Sequence, residues 1–297
     1  MIKKNKSDLT IIIPCYNEEL SLPHFLPSVI SYCKKKGWPI ICVNDGSKDD
    51  TLKVLSSFGG NITIVNNKVN KGYGGAIKSG IIKSDTTYSI TIDADGQHFL
   101  EDVEKLYECC IKSDADMIIG SRKGLKSASW FRGIGKSIIR QVAKILMPID
   151  IYDINSGMKL FRTDLAKKYL GFLPETMAFS DTIALVFINQ RHLVSEEPIK
   201  IRERIAGEST IGIHTALITI AELLNIVTLF NPMKIFLPIS ITLFTAGITW
   251  GLKIWIFAPE KGLSVGASFL MIMAVLIFLM GLLSEQITRI RRQLIDK

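Results

Sequence analysis

"YSITIDADGQH" (residues 88–98) places two carboxylates, Asp93 and Asp95, directly after an apolar run. Carboxylates are seldom buried without partners, so the end of a core strand is a costly place for them. A bound metal ion or the phosphates of a ligand would offset that cost. This stretch therefore predicts a β-strand that ends at a ligand-binding site.

Short apolar runs of the same kind recur along the first half of the chain. They are LTIIIP (9–14), PIICVN (39–44), NITIVN (61–66) and DMIIGS (116–121). Amphipathic segments with helical spacing lie between the runs, at 18–35, 49–58, 73–83 and 100–112. Strands that alternate with helices predict an α/β fold, with a mostly parallel sheet that helices cover on both faces.

Ligands of such sheets gather at the carboxyl ends of the strands. Polar clusters follow four of the predicted strands, and they read CYNEE, DGSKDDT, NKGYGG and DADGQH. None of them matches a dinucleotide fingerprint or a P-loop, and the glycine-rich NKGYGGAIKSG (70–80) alone is a weak phosphate signal. Four clusters at one edge of a sheet indicate a ligand site more strongly than any single cluster does.

The C-terminal part of the chain carries two nearly uninterrupted apolar stretches, at about 235–257 and 263–283. Each is long enough to cross a bilayer core as a helix, which needs about 20 residues. A pair of buried helices in a soluble protein is the alternative. Arginines in the tail RIRRQLIDK (289–297) predict a multi-pass protein of the cell membrane whose tail and N-terminal domain lie in the cytoplasm.

Charge and cysteine content narrow the class of protein further. The formal net charge of +8 could serve nucleic acid, but beside a predicted membrane hairpin it favours attraction to anionic lipid heads and phosphorylated substrates, so we expect no nucleic acid partner. Five cysteines form no CxxC pair and no even disulfide set, which fits a reducing compartment. The domains expected are a catalytic domain at 1–210, an interfacial amphipathic helix at 211–230 and a transmembrane hairpin with a basic tail at 231–297.

The polar clusters, in this order, resemble those of family-2 glycosyltransferases with the nucleotide-diphosphosugar-binding fold called GT-A. The segments GSR (120–122) and DINSGMKLFR (153–162) continue the resemblance downstream. RERIAGEST (202–210) and the C-terminal hairpin are similar to the branch that transfers a sugar onto a polyprenyl phosphate, as dolichyl-phosphate mannose synthase does. The similarity covers nearly the whole chain.

The resemblance implies a DXD motif in which Asp93, Asp95 and Gln97 hold Mg²⁺ or Mn²⁺ on the diphosphate of the donor. Hard oxygen ligands of this kind suit either ion. A turn that uses Asp and Gly only for its backbone geometry is the alternative.

The resemblance also implies binding residues on the donor and acceptor sides. The donor-side residues are Pro14, Tyr16, Asn17, Glu18, Asp45, Lys71 and Asp93. For the segment from Asp45 to Thr51, a turn followed by a helix N-cap is the structural alternative. The cations and hydroxyls expected at the acceptor phosphate are Arg122, Arg132, Ser137, Arg202, Arg204 and Ser209.

The catalytic residues that the resemblance implies are Asp153, Asp181 and Arg122. Many relatives carry Glu-Asp where this chain has Ser180 and Asp181, so which of the two aspartates is the essential acceptor-side carboxylate stays open.

The resulting expectation is a metal-dependent, inverting hexosyltransferase that uses a UDP- or GDP-sugar and a polyprenyl phosphate at the cytoplasmic face of the lipid bilayer. Transfer to a hydroxyl of a glycan or glycolipid, and an inactive membrane scaffold that only binds nucleotide, are the alternatives. The sequence leaves the sugar, the base, the length of the lipid and the pathway open. A homo-oligomer also stays open, because helix hairpins often pack against copies of themselves.

Overall fold

The computed structural model describes residues 8–122, 151–202, 227–228, 231–258, 260, 262 and 264–295. These residues divide into two compact units. The first contains 8–122 and 151–202, and the second contains the C-terminal helices. The predicted domain boundary after residue 210 and nearly all of the predicted interfacial helix (211–230) lie outside the described residues.

Seven strands form a single sheet in the described part of the first unit. In chain order they are β1 (Leu9–Cys15), β2 (Ile40–Asp45), β3 (Thr63–Asn67), β4 (Tyr88–Thr91), β5 (Met117–Ser121), β6 (Lys159–Arg162) and β7 (Val194–Pro198). Their order across the sheet is β3-β2-β1-β4-β6-β5-β7. All adjacent pairs are parallel except the two that involve β6, which runs antiparallel to both β4 and β5.

This topology brings the polar clusters to one edge of the sheet. Strands β1, β2, β3 and β4 are linked by parallel pairs, and β5 has the same direction because the antiparallel β6 separates it from β4. The carboxyl ends of these five strands therefore meet at one edge. The first residue of β6, Lys159, pairs with Thr91 and lies at that edge too.

Helices pack on the sheet and complete the core. In the first unit they are α1 (Leu22–Lys36), α2 (Thr51–Ser57), α3 (Tyr73–Lys83), α4 (Leu100–Ser113), α5 (Thr163–Tyr169) and α6 (Phe179–Asn189). Ile11, Ile13 and Ile90 of the central strands pack with Leu106 of α4 in one buried apolar cluster. The mostly parallel α/β sheet predicted from the alternation of strands and helices is confirmed, and the antiparallel β6 is the addition to it.

The second unit contains two long apolar helices, α7 (Met233–Phe257) and α8 (Val265–Ile295). They pack on each other where Gly247 contacts Met271 and where Ser240 Oγ donates a hydrogen bond of 2.8 Å to the Ala274 carbonyl oxygen. Both have the length and apolar composition that a membrane crossing requires, over 25 and 27 residues respectively. Large apolar side chains stay exposed on them, including Phe257 at 79%.

Close backbone packing explains the glycines at the start of α3. A Cβ on Gly74 would lie 2.5 Å from the Pro174 carbonyl oxygen and 2.7 Å from the Phe179 Cβ. A Cβ on Gly72 would lie 2.6 Å from the Glu175 carbonyl oxygen, and the Gly75 amide donates a hydrogen bond to that same oxygen at 3.1 Å. The glycines of this segment therefore let the loop at 174–176 dock on α3.

We expect Gly74→Ala to lower the free energy of unfolding by about 1–3 kcal/mol, because the new methyl group meets backbone that cannot easily move. Gly171→Ala is the matched control, since a Cβ there meets nothing within 4 Å. Thermal unfolding followed by circular dichroism measures both variants. Equal melting temperatures for the two would contradict the close packing of this loop.

Candidate active site

Asp93 follows β4 and is held by two aromatic side chains. The Tyr73 hydroxyl donates to Asp93 Oδ1 at 3.1 Å, and His98 Nε2 lies 3.4 Å from Asp93 Oδ2. A Cβ on Gly157 would lie 2.6 Å from Asp93 Oδ2, so only glycine fits beside this carboxylate. Burial raises the pKa of Asp93, but His98, Tyr73 and the charge of Lys159 together bring it below its ordinary value. Asp93 is therefore ionised at neutral pH.

Asp95 and Gln97 lie in the turn that follows Asp93. The Gln97 amide donates to Asp95 Oδ1 at 3.1 Å, and the Gln97 side-chain Nε2 donates to the Arg202 carbonyl oxygen at 3.4 Å. The Arg202 amide returns a hydrogen bond of 2.9 Å to the Gln97 carbonyl oxygen. This pairing orients the Gln97 side-chain amide through its nitrogen. Neither of the two hydrogen bonds to Arg202 uses Gln97 Oε1.

The oxygen donors of this turn fit a divalent cation. Mg²⁺ is usually bound by one or two carboxylates and completes its shell with phosphate oxygens and water. Asp95 and Gln97 supply such donors, whereas both oxygens of Asp93 already face Tyr73 and His98. Among the described residues, no three His, Cys, Asp or Glu side chains form a metal-binding group, so the three-residue ligand set stays a prediction.

Arg122 and Asp153 form a bidentate ion pair at the end of β5. Arg122 Nε donates to Asp153 Oδ2 at 2.6 Å, Nη2 donates to Oδ1 at 2.7 Å, and the Arg122 amide also donates to Oδ2 at 2.9 Å. Nη2 further contacts Asn155 Oδ1 at 2.8 Å. Burial raises the pKa of Asp153, but the hydrogen bonds and charge of Arg122 lower it below its ordinary value. A carboxylate held in this way is a poor proton acceptor.

The two motifs after β1 and β2 hold each other in place. Asn17 Oδ1 accepts from the Lys48 amide at 2.9 Å, and the Asn17 amide donates to Ser47 Oγ at 3.1 Å. The Glu18 amide donates to Thr51 Oγ1 at 2.8 Å. These contacts tie the two motifs together and fix the backbone of the predicted donor side.

Asp45, at the end of β2, is 2% exposed and is bonded from inside the protein. It accepts hydrogen bonds from Asn67 Nδ2 at 2.8 Å and from the Lys71 amide at 3.1 Å. Asp45 therefore positions the loop that carries Lys71, whose side chain is exposed. Next to these motifs, Pro14 is half-buried in β1 and Tyr16 is exposed beyond its end.

Of the residues predicted for the acceptor side, the structure describes Arg122 and Arg202. The Arg202 guanidinium stacks over the Phe99 ring at 4.1 Å, and an isolated bridge between His98 and Ile201 ties this segment to the DADGQH turn. The other four predicted residues lie outside the described residues, and they are Arg132, Ser137, Arg204 and Ser209.

The sequence profile of glycosyl transferase family 2 matches residues 10–170, more than half of the chain. The chain belongs to glycosyl transferase family 2. The profile of the GtrB C-terminal hairpin matches residues 231–290, which include α7 and most of α8.

This family 2 glycosyltransferase has relatives that act on lipid phosphates. It is 32% identical over 205 residues to a dolichyl-phosphate β-glucosyltransferase of Dictyostelium discoideum, covering 62% of each chain and thus less than two thirds of that protein. It is 25% identical over 299 residues to the undecaprenyl-phosphate 4-deoxy-4-formamido-L-arabinose transferase of Proteus mirabilis, covering 95% of this chain and 89% of that protein.

The GT-A fold is shared with glucosyl-3-phosphoglycerate synthase from Mycobacterium tuberculosis, solved in complex with Mn²⁺, uridine diphosphate and phosphoglyceric acid. The TM-score is 0.58 at 16% identity, covering 74% of this chain and 78% of that one. The same synthase has also been solved with Mg²⁺ and uridine diphosphate. At 16% identity, this likeness shows that the two proteins share a fold and shows nothing about function.

Two residues at this candidate site were not found from the sequence. Tyr73 reaches Asp93 from the first turn of α3, and Lys159 is a charged residue that is only 2% exposed. A lysine inside the apolar run of MKLF was the available signal for Lys159, because a charge in a core strand needs partners. Nothing in the sequence around Tyr73 distinguishes it from an ordinary helix residue.

We expect Asp153→Asn to destabilise the protein by about 2 kcal/mol at pH 7, because it leaves Arg122 partly buried without its counter-charge. The folded-state pKa of Asp153 lies below its unfolded value, so this stabilisation exists above about pH 4 and is lost as the pH falls through the folded pKa. The melting temperatures of the wild type and of Asp153→Asn, measured from pH 7 to pH 3, should therefore approach each other in acid.

Asp164→Asn serves as the control for this measurement. Asp164 pairs with Arg162 at 2.8 Å, but its side chain is 61% exposed, so we expect a loss of at most about 0.5 kcal/mol. A penalty for Asp153→Asn that equals the control's, or that stays constant down to pH 3, would contradict the buried ion pair.

Proposed function

We propose that the chain is a membrane-anchored, inverting glycosyltransferase that moves one hexose from a UDP- or GDP-sugar onto a polyprenyl phosphate. One observation carries the proposal. Asp95 and Gln97 follow β4, and Arg122, which is paired with Asp153, follows β5, so that they lie at the same edge of a GT-A sheet in a chain that continues into a GtrB-type hairpin. The polyprenyl-phosphate transferases among its relatives support this acceptor.

On the donor side, Asp95 and Gln97 would hold Mg²⁺ or Mn²⁺ against the diphosphate. When bound, the cation neutralises the charge that develops as the nucleoside diphosphate leaves. Asp93 stabilises the start of this turn, because Tyr73 and His98 fix its carboxylate. Solved structures of the Mycobacterium tuberculosis synthase with Mn²⁺ or Mg²⁺ support the use of either ion in this fold.

On the acceptor side, a phosphate monoester differs chemically from a sugar hydroxyl. Its second pKa is about 6, so it is already an anionic nucleophile at neutral pH and needs little help from a general base. Arg122 offers the positive charge that an anionic acceptor needs, and guanidinium can grip phosphate with parallel hydrogen bonds. Asp153 then positions Arg122, and for Asp181, in the first turn of α6, we propose the direct role near the acceptor.

A single displacement at the anomeric carbon inverts its configuration, and it requires the donor and acceptor phosphates on opposite sides of the sugar.

Charge at the ends of the hairpin supports the orientation in the bilayer. Arg289 and Arg291 lie at the end of α8, whereas the short linker between the helices carries Lys261 beside Glu260. We therefore place the catalytic unit at the cytoplasmic face.

The purified chain, incubated with labelled UDP-glucose, UDP-galactose, UDP-N-acetylglucosamine or GDP-mannose and a polyprenyl phosphate, should yield a lipid product with one of these donors. We expect mild acid to release the label, because a sugar linked through phosphate is acid-labile. A product that survives mild acid would instead indicate transfer to a hydroxyl. Nucleotide binding without any product would indicate the inactive scaffold.

Replacing Asp95 by Asn should lower metal-dependent turnover by at least about 100-fold, since it removes an anionic ligand and its stabilisation of the leaving group. The melting temperature should stay within about 2 °C of the wild type, because Asp95 lies in a half-buried surface turn. Glu108→Gln, at an exposed position of α4, is the matched charge control. Wild-type turnover by Asp95→Asn would overturn the metal assignment.

A further inference from the structure

Lys159 is the charged residue of the candidate active site for which the proposed reaction gives no direct task. It is the first residue of β6, pairs with Thr91 across the sheet and is 2% exposed. Lysine is almost never buried to this degree without partners, because removing an ammonium from water is costly. The hydrogen-bond partners and the nearby charges of the Lys159 ammonium therefore indicate its role.

The Lys159 ammonium joins two segments of the chain. Nζ donates to Ser180 Oγ at 2.6 Å and to the Ser156 carbonyl oxygen, and Ser180 Oγ donates to that same carbonyl oxygen at 2.6 Å. Ser156 belongs to the DINSG loop, and Ser180 lies in the first turn of α6. Among the described residues, the hydrogen-bond partners of Nζ are these two neutral oxygens.

The charges that surround Lys159 come from three carboxylates and one guanidinium. Burial lowers its pKa to about 8, while Asp181, Asp153 and Asp93 favour the charged form and Arg122 opposes it. Below about pH 8 the Lys159 amine is therefore mostly protonated. Its positive charge balances the nearby carboxylates, while its hydrogen bonds go to the two neutral oxygens.

Each segment that Lys159 anchors carries groups of the proposed reaction. In the DINSG loop, Asp153 binds Arg122 and Gly157 lies against Asp93, with Ser156 between them. In α6, Asp181 directly follows Ser180. A shift of the ammonium would therefore displace the Arg122–Asp153 pair and Asp181 together.

We propose that Lys159 is a positioning residue for sugar transfer, whose ammonium, through Ser180 Oγ and the Ser156 carbonyl, sets the placement of the Arg122–Asp153 pair and of Asp181. This inference rests on the proposed function. Ser180 fits the role because a hydroxyl accepts from Lys159 without adding a fourth carboxylate. The residue acts on the acceptor side, since Lys159 bonds the segments that carry Asp153 and Asp181, whereas the Asp93 carboxylate is bonded directly by Tyr73 and His98.

Three variants separate the charge of Lys159 from its volume. Lys159→Met removes the charge, Lys159→Arg keeps it, and Ser180→Ala removes only the hydroxyl that links the ammonium to α6. Ser89→Ala is the control for Ser180→Ala, because Ser89 is also a buried serine but bonds Thr163 and Ser84 away from the site. Each variant is measured in the full chain for kcat, for the KM of the acceptor and for donor affinity by titration calorimetry with the sugar nucleotide and Mn²⁺.

We expect Lys159→Met to lower kcat by about 100-fold, the cost of a misplacement of about 1 Å in a reacting group. Donor affinity should stay within about threefold, and Lys159→Arg should recover part of the lost kcat, because arginine restores the positive charge but its planar guanidinium does not reproduce the position of the ammonium. Ser180→Ala should lower kcat by about five- to tenfold, the value of one hydrogen bond. Ser89→Ala should leave kcat unchanged and lower only the melting temperature.

Two results would overturn the inference in an active wild-type enzyme. The first is a folded Lys159→Met variant whose kcat lies within threefold of the wild type or equals that of Lys159→Arg. The second is wild-type kcat for Ser180→Ala, which decides the question if Lys159→Met does not fold. A wild-type chain that makes no sugar-lipid product with any of the donors would instead refute the proposed function, and this inference with it.

Discussion

The structure depends on the balance of charge at one edge of its sheet. Three carboxylates, those of Asp93, Asp153 and Asp181, lie there with two cations, Arg122 and Lys159. Asp153 and Lys159 are buried there and the other three groups are half-buried, so each cation lowers the cost of burying the carboxylates, and each carboxylate lowers that of the cations. Burial raises the pKa of both Asp93 and Asp153, but His98, Tyr73 and the charge of Lys159 bring that of Asp93 below its ordinary value, and Arg122 and Lys159 do the same for Asp153.

Backbone packing keeps this cluster in place. Gly157 admits the carboxylate of Asp93, and Gly74 admits the loop that leads into α6 and Asp181. The DADGQH turn is held from its other side, where Gln97 and Arg202 exchange hydrogen bonds. A site on which substrates must meet within tenths of an ångström benefits from such supports, because its groups do not need to be ordered again in each turnover.

The sequence allowed the parallel strands and their polar ends to be predicted, since apolar runs that alternate with amphipathic segments have few other ways to fold. It did not reveal β6, because KLFR is short and begins with a lysine, and only tertiary contacts make a charged residue the start of a core strand. It indicated Asp153 and Arg122 separately but not their pairing, which depends on the antiparallel strand that joins the DINSG loop to β5. The glycines of NKGYGG suggested phosphate, and the structure gives them a packing role as well.

The proposed reaction requires the turn after β4 to hold the donor's diphosphate through a divalent cation. Anomalous scattering from Mn²⁺, in crystals of the full chain grown with the sugar nucleotide that it turns over, locates that cation. We expect one strong peak at about 2 Å from an Asp95 carboxylate oxygen, with Gln97 and the diphosphate oxygens completing the shell. A well-ordered nucleotide whose manganese peak lies elsewhere, with Asp95 turned away from the diphosphate, would contradict it.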